Sequence, residues 1–332
     1  MDLTLNADQR DLRSGLRGYL TDVWTPDRLR SAADDPALDR KAWRGLAEMG
    51  VFGLTVPESG GGMGLGLADA AIVFEELGRA LVPGPLVATF LAAGLVPDAE
   101  DGGAVVTMLD AGEPIAIVEH LPSATQVVVV ADDGLFLLPA DGLAATPTAI
   151  PLDPLTPVSQ VMAAPEAYAG AERVGSAGDA VRWRLCGAAL TAALQVGVAQ
   201  GGLDLAVRYA KERTQFDRPI GSFQAVKHLL AESLVRVDLA RAAVLVAALT
   251  IDDPRAGDPE EAVSAAKILA DDAATAGGRT CVQVHGGMGF TWEVLAHLYL
   301  KRAWLLETCF GRSDEHAMRL ATILARDTGE PG

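Results

Sequence analysis

Residues 213–228, RTQFDRPIGSFQAVKH, join two predicted helices through a Pro-Ile-Gly turn. A charged helix is predicted to end near Arg213, and the next to begin at Ser222, because serine is a good N-cap. Basic side chains concentrate around this turn: Lys211, Arg213, Arg218, Lys227 and His228. Since an arginine fork binds phosphate in bidentate fashion, the stretch is either a phosphate site or a solvated helix end with surface ion pairs.

Long periodic segments surround this stretch and predict a helical bundle in the C-terminal half. Apolar residues recur at spacings of three and four within 221–249, which is typical of one buried helical stripe. Further helices are predicted at 260–285 and 302–326. The uncharged run 185–203 has the length of a membrane span, but its alanines, glycines and glutamines favour a helix buried in the bundle.

The remaining chain divides into an N-terminal helical part and a short β-rich part. Residues 1–100 predict short helices, with a capping pattern at Asn6–Gln9 and a Gly- and Pro-rich loop at 51–67. Residues 101–175 contain short β-rich runs bounded by Gly, Asp or Pro, which predict a small antiparallel sheet or barrel. The predicted domains are 1–100, 101–175 and 176–332.

Composition disfavours several classes of function. The 332 residues carry 27 Lys and Arg against 44 Asp and Glu, a formal net charge of −17. This acidity argues against nucleic acid and anionic membranes as partners, because both are bound mainly through basic side chains. Three cysteines, far apart in sequence, form neither a disulfide framework nor a cysteine-cluster metal site. With no readable signal peptide, we expect a cytoplasmic protein without a bound metal.

A second informative stretch, CVQVHGGMGFTWE at 281–293, follows a predicted helix. Gly286 and Gly287 either cap that helix or allow backbone to approach a ligand closely. His285 has no second ligand at a metal-binding spacing, and an isolated histidine is more often structural. Taken singly, these features are weak indicators of function.

Taken together and in order, the stretches resemble the acyl-CoA dehydrogenase family. The matching segments are Trp43, LAEMGVFGLTVPESGGGMGLG (46–66), EELGRAL (75–81), RTQFDRPIGSFQAVKH (213–228), Ala266-Lys267 and QVHGGMGF (283–290). The resemblance implies a mostly α fold with an N-terminal helical domain, a short middle β domain and a C-terminal four-helix bundle. It further implies FAD as cofactor, an acyl-CoA thioester as substrate and electron-transfer flavoprotein as acceptor. In this family a carboxylate removes the α-proton while the flavin takes the β-hydrogen as hydride.

The resemblance also implies a nucleotide half-site, since in this family the adenosine half of each FAD is held by the neighbouring subunit. The cofactor-binding residues implied here are Arg213, Gln215, Phe216, Gln224, Gln283, His285, Gly286 and Gly287. Arg213 would bind the pyrophosphate, with Gln215 and Phe216 beside it. A guanidinium suits phosphate, an aromatic face suits packing, and glycines suit close backbone approach.

The family's catalytic base has no counterpart at its usual position. When Gly311 is matched to the glycine of the family's Tyr-Glu-Gly-Thr motif, Phe310 stands at the glutamate position. Phenylalanine cannot accept a proton, which general-base catalysis requires. The earlier helical position used by some members, 185–188, has no carboxylate either. Glu307, three residues before Phe310, is either a displaced base on a similar helix face or a solvated charge.

The middle part also lacks the family's flavin-ring patterns, and residues 101–180 contain no tryptophan. One hypothesis joins these departures: the chain resembles the smaller subunit of an α2β2 acyl-CoA dehydrogenase whose homologous larger subunit carries the base. Such heteromers occur in actinobacterial steroid side-chain degradation, so a bulky polycyclic acyl-CoA is the expected substrate. Three alternatives remain: a self-sufficient homo-oligomeric dehydrogenase using Glu307, a flavin monooxygenase of the same fold, and a structural scaffold.

Overall fold

The computed structural model describes residues 3–112 and 114–328, and these form ten α-helices and nine short strands. The helices are α1 Ala7–Val23, α2 Pro26–Asp34, α3 Arg40–Glu48, α4 Leu67–Arg79, α5 Leu86–Ala92, α6 Ala177–Glu212, α7 Gln224–Asp252, α8 Pro259–His285, α9 Ala296–Glu307 and α10 Ser313–Thr328. The strands are β1 Val106–Asp110, β2 Ile115–Glu119, β3 Gln126–Ala131, β4 Gly134–Pro139, β5 Thr146–Pro147, β6 Val158–Met162, β7 Glu172–Ser176, β8 Thr214–Gln215 and β9 Arg218–Pro219. The predicted mostly α fold with a small β region is confirmed.

The first helix begins as its sequence predicts. The Asn6 side chain accepts a hydrogen bond from the Gln9 backbone N–H at 2.8 Å, and the Gln9 side chain accepts one from the Asn6 N–H at 3.1 Å. This reciprocal pair is a capping box, which satisfies two backbone donors that the first helical turn leaves without partners.

The β region contains a mixed sheet, so the prediction of a purely antiparallel structure is wrong. Strand β1 pairs in parallel with β3, and β3 and β7 both pair antiparallel with β4. Strands β2, β6 and β5 form a second, antiparallel sheet. The chain leaves the first sheet after β1, builds β2 in the second sheet, and returns to place β3 parallel to β1, because parallel neighbours require a crossover connection. Val118, Val127, Val129 and Val161 belong to one buried apolar cluster in this region.

Internal contacts divide the chain into two units. One contains the described residues of 1–26, 71–82 and 188–332, and the other contains 27–70 and 83–187. The domain boundaries at residues 100 and 175 therefore remain a prediction, based on the change from helical to β-rich sequence patterns and back.

Within the residues that the structure describes, one helix, α6, is long and apolar enough to cross a membrane, and 78% of its most apolar window is buried within the protein. This burial favours the core-helix interpretation of residues 185–203.

Helix α8 packs against α7, α9 and α10 in the C-terminal part of the chain. Two details of this region differ from the sequence expectation. Ser222 does not cap α7, because a short 3₁₀ turn at Ile220–Ser222 intervenes and α7 begins at Gln224. The single helix predicted at 302–326 is divided into α9 and α10, and the backbone between them is left-handed at Phe310 (φ 57°) and Gly311 (φ 96°).

Candidate functional site

Arg213 lies between α6 and a short hairpin, in which β8 pairs with β9 and each strand is two residues long. Its backbone N–H donates to the Tyr209 carbonyl at 2.8 Å, and its carbonyl accepts from the Ile220 N–H at 2.8 Å. The hairpin turns at Phe216 (φ 51°) and Asp217 (φ 61°), the left-handed pair expected of a type I′ turn. The turn therefore places the Phe216 ring at the tip of the hairpin, where it is 86% exposed.

The basic residues of this stretch have different environments. The Arg218 guanidinium lies 4.1 Å from the centre of the Phe223 ring, and Phe216 meets the same ring edge-on at 6.1 Å. Arg218 is thus engaged in a cation–π contact. Among the residues that the structure describes, the side chains of Arg213, Gln215 and Gln224 are exposed and make no hydrogen bond or ion pair. Arg213 is therefore a guanidinium beside the hairpin that has no partner within the described residues and remains available to a phosphate.

The glycines that follow α8 differ in what they do. A Cβ at Gly286 or Gly287 would meet no described atom within 4 Å, whereas a Cβ at Gly289 would lie 2.6 Å from the Val282 carbonyl oxygen. Gly289 is required for packing against α8. Gly286, with φ 60°, ends the helix, and together with Gly287 it leaves the backbone open to an approaching ligand. The sequence left capping and ligand approach as alternatives; the structure shows the cap, and the approach of a ligand stays a prediction.

His285 lies behind this loop and is only 4% exposed. Its Nδ1 is 2.7 Å from the Cys281 carbonyl oxygen. Because a carbonyl oxygen can only accept, Nδ1 carries the proton. Burial lowers the pKa of His285 below its ordinary value of 6.5, so the ring is neutral near pH 7. The structure thus places His285 as a support for the loop, while the neighbouring Gln283 is exposed.

The hairpin and the glycine loop share one apolar base. Ala206 of α6, Val282 of α8 and Leu300 of α9 belong to a buried cluster against which Ile220 and Val226 pack. The structure therefore brings the two stretches together on one packed set of helix ends, although they are widely separated in sequence. The role of each side chain in binding a cofactor stays a prediction.

Phe310, which the resemblance matches to the family's glutamate, lies in the turn between α9 and α10. His316 is 1% exposed, and its Nε2 donates to the Phe310 carbonyl at 3.0 Å. Its Nδ1 then accepts from the Ser264 hydroxyl at 3.3 Å. Burial, the largest contribution, lowers the pKa of His316 to about 4. The turn is fixed by a buried, neutral imidazole.

Glu307 and Phe310 do not share a helix face. Glu307 ends α9, and the left-handed backbone at Phe310 lies beyond that end. The 3.6-residue periodicity that related them in sequence does not extend across the turn, so that argument for Glu307 as a displaced base is wrong.

A buried ion pair beneath this turn was not identified from sequence. Lys267 Nζ lies 2.8 Å from Asp271 Oδ1, and these side chains are 0% and 3% exposed. Lys267 also donates to the carbonyls of Leu306 at 3.2 Å and Glu307 at 3.4 Å. The Ser313 hydroxyl donates to Asp271 Oδ2 at 2.9 Å. The Lys-Asp spacing of four residues was visible in sequence, but that spacing is equally typical of a surface pair.

Asp271 is further bound by the side-chain amide of Gln195, which donates to it. Burial raises the pKa of the Asp271 carboxyl, against the opposing effect of Lys267. The cluster of Gln195, Lys267, Asp271 and Ser313 therefore connects α6, α8 and α10, and through the Leu306 and Glu307 carbonyls it also holds the end of α9.

Comparison with known proteins identifies related sequences and structures. The models for the acyl-CoA dehydrogenase N-terminal and C-terminal domains match residues 6–102 and 183–325. Acyl-CoA dehydrogenase IpdE2 of Mycobacterium tuberculosis is 38% identical over 310 residues, which are 91% of this chain and 92% of the relative. Acyl-CoA dehydrogenase FadE34 of the same organism is 34% identical over 96% of this chain, and the match spans 44% of that relative's length.

Two solved structures are similar along nearly the whole chain. The ChsE4-ChsE5 complex from Mycobacterium tuberculosis matches with a TM-score of 0.85 and 26% identity, covering 100% of both chains. The Tcur3481-Tcur3483 steroid ACAD, as its G363A variant, matches with a TM-score of 0.82 and 25% identity, covering 98% of this chain and 100% of that chain. The sequence matches and the fold agree, and this chain belongs to the acyl-CoA dehydrogenase family of FAD-dependent oxidoreductases.

Proposed function

We propose that the chain is the smaller subunit of an α2β2 acyl-CoA dehydrogenase. It supplies the adenosine and pyrophosphate half of the FAD site to a homologous larger subunit that carries the catalytic base. One observation carries this proposal: within the described part of the chain, Arg213, Gln215 and Gln224 are exposed and unpaired, while the base position is occupied by Phe310.

The residues of the half-site fit the nucleotide part of FAD. Arg213 offers its guanidinium to the pyrophosphate. A Cβ at Gly286 or Gly287 would point into space that no described atom fills within 4 Å, so a ligand can approach the backbone there. When bound, FAD would supply the hydride acceptor for the β-carbon of the acyl group. This chain binds and orients the nucleotide, and the α-proton passes to the partner's base because Phe310 has no atom that can hold it.

Exposed apolar side chains support the presence of a partner chain. Leu234, Val235 and Leu239 of α7 are 46%, 64% and 56% exposed. The Phe216 ring at the hairpin tip adds a further exposed apolar surface. Large apolar side chains grouped on one helix are typical of a protein–protein interface rather than of a free surface.

The proposed substrate is a bulky, steroid-type acyl-CoA thioester, with electron-transfer flavoprotein as acceptor and the cytoplasm as location. Support for the bulky, steroid-type substrate comes from the similarity to the steroid ACAD structure and from the missing base. A protomer that performs no proton abstraction can give up part of its own acyl site, which leaves volume for a polycyclic group.

The decisive experiment is co-purification with the product of a neighbouring gene, followed by absorption spectra of each chain and of the complex. Flavin absorbance is expected only when both chains are present. Within the complex, Arg213→Ala should reduce the FAD content. Arg255→Ala, which removes an exposed arginine paired with Asp253, should leave the content unchanged.

Other outcomes would support the alternatives. If the chain alone is yellow and oxidises an acyl-CoA, and if Glu307→Gln abolishes that turnover, a self-sufficient dehydrogenase is supported instead. A hydroxylated product with oxygen consumption would indicate a monooxygenase. Unchanged FAD content after Arg213→Ala would indicate a structural scaffold.

A further inference from the structure

Tyr209 contacts both parts of the nucleotide half-site. It belongs to the last turn of α6, and its carbonyl accepts the hydrogen bond from the Arg213 N–H. Its ring stacks on the His285 ring, with centres 4.3 Å apart and planes 27° from parallel. Its hydroxyl lies 3.7 Å from the sulfur of Met288, within the glycine loop. One side chain therefore connects the helix that leads into the hairpin with the loop that follows α8.

The partner ring in this stack is itself held in place. The Nδ1–H bond to the Cys281 carbonyl fixes the orientation of His285, and Cys281 is fully buried. Gly286 follows His285 directly, so the residue whose ring is held here is continuous with the backbone that faces the ligand. The half-buried Tyr209 ring covers one face of this imidazole and packs His285 against the last turn of α6.

We propose that Tyr209 is a positioning residue that fixes Gly286 and Gly287 relative to Arg213, and thereby sets the affinity of the half-site for FAD. This inference rests on the proposed function. The ring provides most of the effect, because aromatic stacking is directional and a thioether sulfur is a weak hydrogen-bond acceptor. Removing the ring should therefore weaken binding, whereas removing only the hydroxyl should not.

The test measures FAD dissociation constants on the purified complex after removal of its flavin, by titration with FAD followed through flavin fluorescence. Tyr209→Leu should raise the dissociation constant about fivefold to tenfold, the size of one lost aromatic stack. Tyr209→Phe, which keeps the ring, should remain within about twofold of wild type. Tyr168→Leu is the matched control, because Tyr168 is also half-buried and packs on one aromatic ring, Phe136, at 5.8 Å; it should not change FAD affinity.

A second measurement changes the other ring of the stack, His285. His285→Leu should weaken FAD binding to a similar extent, and the double variant with Tyr209→Leu should be no weaker than either single variant, because both remove the same contact. If Tyr209→Leu does not fold, the single variant His285→Leu carries the test, and wild-type FAD affinity in it would overturn the inference. Wild-type affinity in Tyr209→Leu, equal losses in Tyr209→Phe and Tyr209→Leu, or strictly additive losses in the double variant would overturn the inference.

Failure of the inference is distinguishable from failure of the proposed function. If Arg213→Ala weakens FAD binding and Tyr209→Leu does not, the half-site is supported and the positioning role of Tyr209 is refuted. If Arg213→Ala has no effect, the proposed half-site itself is wrong.

Discussion

Replacing His316 by glutamine should remove a specific loss of stability at acid pH. The folded protein buries His316 as a neutral ring between the Phe310 carbonyl and the Ser264 hydroxyl. Its pKa falls from 6.5 to about 4, chiefly through burial and with smaller effects of Arg319 and Lys267. Above pH 6.5 the ring is neutral in both folded and unfolded chains. As the pH falls from 6.5 to 4, only the unfolded chain gains the proton, so the free energy of unfolding decreases.

The size of this effect follows from the two pKa values. A difference of about 2.5 pH units, at about 1.36 kcal/mol each, corresponds to about 3 kcal/mol of stability lost between pH 7 and pH 4. His316→Gln keeps an amide donor for the Phe310 carbonyl but does not titrate in this range. Wild type and variant should therefore differ in how their unfolding free energies change with pH.

The assay is urea unfolding of both proteins between pH 7 and pH 4. Taking the difference between them removes the contributions of the other shifted groups, which both proteins share. These include His285, whose pKa is also lowered, and Asp271, whose raised pKa acts in the opposite direction. A stability difference that stays constant across this range would refute the reasoning, as would a His316 pKa near 6.5 measured by NMR in the folded protein.

Three further outcomes are expected. Lys267→Met should lower the free energy of unfolding by about 3–5 kcal/mol, because it leaves the Asp271 carboxyl buried without its cationic partner. The double variant with Asp271→Leu should recover much of this loss in urea unfolding. A single variant as stable as wild type would contradict the burial of the pair. Gly287→Ala should change the unfolding free energy by less than about 0.5 kcal/mol, since its Cβ would have no described atom within 4 Å. The same substitution should weaken FAD binding in a fluorescence titration. Normal FAD binding would show that no ligand approaches the backbone there. Asn6→Ala should cost about 1 kcal/mol in thermal or urea unfolding by removing the capping box of α1, with Asn6→Ser as the conservative control.

Local sequence patterns were sufficient for much of the fold and for proposing where a nucleotide half-site lies. Apolar spacing of three and four residues predicted α7 and α8 to within a few residues, because a helix face repeats locally. The order of the motifs led to the family, and alignment on Gly311 predicts that Phe310 stands where the family has its glutamate. Each of these conclusions depends on residues that are close in sequence.

Contacts between distant residues decided the remainder. Nothing in the β-rich runs indicated that β1 and β3 would pair in parallel, since that pairing depends on the path through a second sheet. The Lys267–Asp271 spacing did not distinguish a surface pair from a buried one, because burial is determined by the helices that pack around it. Likewise, Arg213 and Arg218 belong to one short stretch of sequence, and only the structure shows that Arg218 stacks on Phe223 while Arg213 has no partner among the described residues. Sequence specifies which groups are present and how they repeat along an element, whereas solvent access and electrostatic environment depend on neighbours that packing alone supplies.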